Sequence, residues 1–154
     1  MKPIIKLLMV APLMLILISC ATTDVEVVPF ETSRTYSADF GDTWKKLVRF
    51  YSTNQIGIGT LEKDSGIITM NNENISVSAI KDFCADWPVS FLWTPTSGVA
   101  RGSATLIEDE GFTTANVNVS FSVRSQYCYQ GCSYTTNLCQ SNGSFETSML
   151  NALD

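Results

Sequence analysis

Five cysteines and no histidine bound the chemistry open to this chain. Three thiols share one stretch, YCYQGCSYTTNLC, at Cys128, Cys132 and Cys139, with Cys84 upstream and Cys20 near the start. Closely spaced thiols bind metal, cycle electrons or form disulfides. A structural zinc site takes four ligands, which without histidine means four thiolates, and C-x3-C-x6-C lacks the C-x2-C knuckles typical of such sites. A thioredoxin-like C-x-x-C is missing too. Disulfides are the preferred reading, with metal and redox roles as alternatives. Without histidine no conventional Ser–His or Cys–His nucleophile can be assembled. The densest acidic run, Glu108-Asp109-Glu110, precedes Gly111 and reads as a solvated hairpin turn, a calcium site being the sharper alternative. These residues argue against an enzyme, a resident metal or a cofactor.

The compartment decides what the thiols do. Residues 1–19 combine Lys2 and Lys6 with an apolar run from Leu7 to Ile18 that contains Pro12. This is the pattern of a secretory leader, shorter than the roughly 20 apolar residues of a membrane span. The segment ends Leu17-Ile18-Ser19-Cys20, followed by Ala-Thr-Thr-Asp. It resembles the lipobox of bacterial lipoproteins, with Ser in place of the commoner Ala or Gly before the cysteine. The resemblance implies cleavage before Cys20, a thioether-linked diacylglycerol on its sulfur and an acylated amine, which together hold a protein stably on a membrane. The alternative is a secreted protein with Cys20 in a disulfide. Ala21 stands where inner-membrane lipoproteins often carry Asp, so the resemblance points to the outer membrane with the domain facing the periplasm. Residues 20–31 then form the lipidated cysteine and tether, and residues 32–154 a single α+β periplasmic domain.

An exported domain meets an oxidising compartment, where paired thiols become disulfides. Cys84, Cys128, Cys132 and Cys139 allow three connectivities. Cys128–Cys132 is favoured because Gly131 permits a tight reversal between them, which leaves Cys84–Cys139 as the long-range staple. Removal of residues 1–19 takes away two lysines and no acid, so 8 basic and 15 acidic residues remain and the net charge becomes −7. Phosphates repel such a domain, which counts against nucleic acid as a partner and against broad adhesion to anionic lipid. About 120 residues follow the tether, enough for one core.

The elements that must position these groups follow from periodicity. A short strand is expected over Ser33 to Ser37. Trp44, Leu47, Val48 and Tyr51 share one face of a helix that Asp39 can cap and whose positive end suits Asp42. Ile56, Ile58 and Thr60 alternate with Gly57, Gly59 and Leu61, and Lys63-Asp64-Ser65-Gly66 reads as the turn of a hairpin that ends near Asn71. The small glycines are expected to let the helix approach the sheet. ISVSAIKDFC reads as a strand and ADWPVSFLWTPTSG as a loop. A second hairpin joins 100–108 to 113–125, where Ala115, Val117, Val119, Phe121 and Val123 alternate with polar residues. After a cysteine loop, Phe145, Met149, Leu150 and Leu153 mark a C-terminal helix. The expected order is β-α-β-β-loop-β-β-α, an antiparallel sheet with two helices packed on one face and stapled by disulfides.

The stretch TYSADFGDTWKKLVRFYSTNQIGIGTLEKDSGIITM, with the helix start at Asn142 to Glu146, is similar to helix-grip-like domains of outer-membrane lipoproteins, including the BamC-type subunit of the barrel-assembly machinery. Trp44, Leu47 and Lys63 to Gly66 carry the likeness. It implies a non-enzymatic interaction or envelope-assembly module that meets the membrane through its lipid anchor and an outer-membrane protein complex through its surface. The departures are a single domain, a short tether, four extra cysteines and a Trp/Pro-rich insert. A candidate surface follows from the residues themselves. Phe83, Trp87, Phe91 and Trp93 flank Cys84, and Tyr127, Tyr129 and Tyr134 flank the other cysteines, so a Cys84–Cys139 bond gathers two aromatic loops at one end. The rings either close the sheet as core, the favoured reading, or form an interaction surface. A small-ligand or glycan site on the polar face of the sheet is the alternative function.

Overall fold

The alternation in the second half of the chain builds the longest strands, and the other elements pack onto them. The computed structural model describes residues 29–154. In chain order these form β1 (Ser33–Tyr36), α1 (Phe40–Thr53), β2 (Ile58–Glu62), β3 (Ile67–Ile75), α2 (Val77–Lys81), β4 (Thr94–Asp109), β5 (Phe112–Cys128), β6 (Cys132–Cys139) and α3 (Ser144–Asn151). The leader, Cys20 and the tether as far as residue 28 lie outside the described residues. The sheet is antiparallel throughout, ordered β1-β5-β4-β3-β2, with β6 also on β5. Strand β5 is long enough to share one edge between two partners. Ser33 to Tyr36 pair with Asn116 to Thr113, and Cys139 to Cys132 pair with Phe121 to Cys128.

One sheet face supplies Ile68, Met70, Ala100, Ala104, Leu106, Ala115, Val117, Phe121 and Val123 to the core. The helices supply Trp44, Leu47, Tyr51, Ile80, Phe145, Met149 and Leu150 to the same cluster. Truncating a fully buried Leu47 or Leu150 to Ala would cost about 2–5 kcal/mol. Helix α1 starts as expected, with the Asp39 carboxylate accepting from the Asp42 amide at 2.9 Å. It stops through a Schellman motif. Gln55 takes a positive φ of 54°, Ile56 N–H donates to Tyr51 O, and Gln55 N–H donates to Ser52 O. The Tyr36 hydroxyl donates to Leu150 O at 2.7 Å and ties β1 to α3; burial pushes its pKa up to about 12.

The two hairpins form where the sequence places them. Glu110 and Gly111 both have positive φ between the paired Asp109 and Phe112, the geometry of a two-residue type I′ turn. The acidic run is thus a hairpin turn.

Four expectations need correction. The stretch read as a strand through ISVSAIKDFC is strand only to Ile75. Asn74 has φ of 64° beside a register shift, and Ser76 then caps α2 by accepting from Ala79 N–H at 3.2 Å. The segment read as loop to 99 joins the sheet at Thr94, because a bulge between Pro95 and Ser97 removes the need for a proline N–H. The cysteine loop is in fact β6, whose Tyr, Thr, Asn and Leu residues carry no apolar alternation to announce it. Gly57 and Gly59 do not admit the helix. A side chain at either would meet Asn71 or Thr69 of the facing strand β3. The close helix approach is at Gly98, where a Cβ would lie 2.5 Å from Ile80 of α2.

Both disulfides follow the favoured connectivity, Cys84–Cys139 across 55 residues and Cys128–Cys132 across 4. In the chain-entropy view the long link contributes about 4 kcal/mol and the short one about 2. Guanidinium unfolding should therefore rank C84A/C139A below C128A/C132A in stability. Equal losses would show that the long link does not act through the unfolded chain.

Candidate functional site

Backbone and side-chain bonds lock the two cysteine-bearing segments together. Cys84 and Ser141 form an isolated bridge, Ala85 N–H donates to Gln140 O at 2.8 Å, and Asn142 N–H donates to Phe83 O at 3.0 Å. The Asp86 carboxylate accepts from Gln140 N–H, and Asn142 Nδ2 donates to Asp82 O, each at 2.8 Å. The Cys84–Cys139 bond closes this clamp. Ser141 then opens α3: its hydroxyl donates to the buried Glu146 carboxylate at 2.9 Å and accepts from Gly143 N–H. Asn142 Oδ1 accepts from Ser144 N–H, while Gly143 at the helix start has positive φ.

From the clamp the 84–93 segment runs to the far end of the sheet. Thr94 pairs with Gln126, and Gln126 pairs with Tyr134, so one level of the sheet carries the ends of β4, β5 and β6. The Trp93 and Tyr127 rings meet there with centroids 5.9 Å apart. Cys128 and Cys132 face each other across the Tyr129-Gln130-Gly131 turn. This end of the sheet is the tip.

The structure brings the candidate aromatics together and then divides them. Phe83 is partly buried against the core, stacked on Phe121 and edge-on to Phe145. Trp87 is half-buried against the core, with the Lys81 ammonium 5.8 Å from its ring centroid. Trp93 is half-buried and Tyr127 more exposed. Phe91 is 94% exposed, Tyr129 72% and Tyr134 73%. Core and surface are thus both present, separated by distance from the clamp. Below the tip Ser125 Oγ is buried with no hydrogen-bond partner among the described residues.

Two exposed leucines were not among the candidates. Leu92, 57% exposed, extends the same surface, whereas Leu138, 76% exposed, lies at the clamp end of β6 opposite Ser122. A usable signal was present in the sequence: no charged residue occurs from Trp87 to Ala100 or from Ser125 to Phe145. These two uncharged runs include the loops and strand ends that form the tip, and the second continues through β6 into the clamp. At the opposite end of the hairpin lie Glu108, Asp109 and Glu110, with Glu62 at the end of β2 and Lys63 and Asp64 in the neighbouring turn beside Leu106. Charge is therefore segregated along the strands.

Shallow hollows of 360 and 420 Å³ flank α1, lined by Lys46, Arg49 and Phe50 and by Trp44, Lys45 and Val48, away from the tip. Among the described residues there is no group of three or more Cys, Asp or Glu side chains placed to hold a metal ion, and no helix long and apolar enough to cross a membrane. The chain matches no protein-family model and no curated protein.

The division of the aromatics has a direct consequence. Phe83→Ala should cost about 3–5 kcal/mol in urea unfolding, whereas Phe91→Ala and Tyr129→Ser should each fall within about 0.5 kcal/mol of the parent. A large loss at Phe91 or Tyr129 would place the tip in the core.

Proposed function

We propose that this chain is an outer-membrane lipoprotein, anchored through acylated Cys20 and facing the periplasm, whose domain is a non-enzymatic interaction or envelope-assembly module. The observation that carries this reading is the tip: Phe91, Tyr129 and Tyr134 stand in solvent on segments held by two disulfides. Aromatic side chains fixed in this way lose little conformational freedom on binding, which favours them as contact residues. The lipobox-like Leu17-Ile18-Ser19-Cys20 supports the anchor. The shared core of α1, α3 and one sheet face supports a helix-grip-like arrangement of the BamC type.

A second reading has its own support. The other sheet face sets Ser103, Thr105, Thr114, Asn116, Asn118 and Ser120 side by side, with the Thr35 and Thr114 hydroxyls 2.8 Å apart. Such a hydroxyl and amide surface suits a glycan or small polar ligand, and saturable binding of cell-wall fragments would favour it.

Metabolic labelling with a palmitate analogue tests the anchor. The parent chain should carry label and fractionate with outer membranes, while Cys20→Ala should lose label and appear in the soluble periplasm. Unlabelled, soluble parent protein would contradict the lipoprotein assignment. In-cell crosslinking from the tip then identifies the partner, with barrel-assembly components as the outcome the BamC-like reading predicts.

A further inference from the structure

The tip is exposed, aromatic and free of charge, and the chain that precedes the domain leads toward it. Strand β1 runs antiparallel to β5, so residues before Ser33 head along β5 in the direction of Cys128. Val117 N–H donates to Thr32 O, and Phe30 lies beside Val119 and Gly143. From Val119 to Cys128 the strand covers nine residues, or about 31 Å at strand spacing. From Cys20 to Pro29 the chain also has nine residue steps, with a maximum reach of about 30 Å. At its full extension that tether lets an acyl anchor on Cys20 reach the level of the tip.

We propose that the tip docks on the lipid bilayer, its aromatic rings lying in the interfacial layer of the membrane that holds the anchor. This rests on the reading of the tip as an interaction surface and names its partner. Three observations converge. Trp and Tyr favour the membrane–water interface, where an apolar ring and a polar edge are both satisfied. Trp93, Tyr127, Tyr129 and Tyr134 supply that chemistry, and Phe91 and Leu92 supply purely apolar surface. Charge is costly in that layer, and the two tip runs contain none, although Lys81, Asp82, Asp86, Arg101, Arg124 and Glu146 stand just outside them. The acidic end at Glu62, Asp64 and Glu108 to Glu110 points the other way, away from anionic headgroups. A protein partner would use the same aromatics, but it would not require the tether length to match the height of the tip.

The test bypasses natural acylation. The core residues and both disulfides among the described residues lie within 29–154, and the test uses the chain from Cys20 onward. Its one thiol outside the disulfides, Cys20, is coupled to a maleimide lipid in phosphatidylcholine vesicles. Tryptophan emission is then compared in plain vesicles and in vesicles brominated high on the acyl chains. Docking predicts loss of emission in the brominated vesicles, and loss of that quenching in F91D/Y129D/Y134D. Without coupling, the same triple substitution in a C20S chain should weaken vesicle partitioning by about tenfold or more. Equal emission in both vesicle types with the parent chain attached would overturn the proposal, as would quenching indifferent to the triple substitution. Melting curves of the triple variant keep the two readings apart: an intact transition with no quenching in the parent removes the bilayer as partner, and a lost transition removes the tip as a surface.

Discussion

The β4–β5 ladder is the constraint from which the rest of the domain hangs. It runs unbroken from Asp109↔Phe112 to the bulge between Pro95 and Ser97, and it resumes at Pro95↔Ser125 and ends at Thr94↔Gln126. Its inner face is the floor on which α1, α2 and α3 pack, and its outer edge on β5 receives β1 and then β6. The ladder also separates the two ends of the molecule. The acidic turns sit at one end and the uncharged tip at the other, as far apart as a long antiparallel hairpin allows.

A hairpin extending past its core is exposed to fraying, since its last pairs bury little. Here the far end is held in other ways. Cys128–Cys132 closes the β5–β6 turn, and the Cys84–Cys139 link fixes the incoming loop where β6 ends. The clamp between 82–86 and 140–144 adds backbone bonds, and Phe83 anchors it by stacking on Phe121. Beyond that anchor Trp87 and Val89 still pack against the core, and from Phe91 the loop stands in solvent. The exposure of Phe91 and Tyr129 is thus a consequence of where the last core ring lies.

Much of this was legible from residue patterns. The Trp44-Leu47-Tyr51 face, the Asp39 cap, both hairpin turns and the strict alternation of β5 follow from periodicity and turn chemistry, which act locally. The cysteine pairing followed from an even count and a glycine between two near neighbours. The missed elements lack a local signal. Strand β6 is paired by its neighbour β5 and not announced by its own Ser, Thr and Asn residues, α2 depends on a single Ser76 cap, and Pro95 concealed a strand that a bulge accommodates. The aromatic surface was only half legible. Residue types located it, but the packing of Phe83 against the core and the exposure of Phe91 depend on the distance from Phe121, which is set by the fold. The two uncharged runs were readable from the start and contain the tip together with part of the clamp.

Hydroxyl-radical footprinting of the chain in isolated outer membranes, compared with residues 21–154 purified in detergent-free buffer, tests the central claim most directly. The account predicts that Phe91, Tyr129 and Tyr134 are oxidised readily in the free domain and protected in the membrane, while Ile107 and Phe112 at the acidic end react equally in both. Equal oxidation of the tip in the two settings, or protection of the acidic end instead, would contradict it.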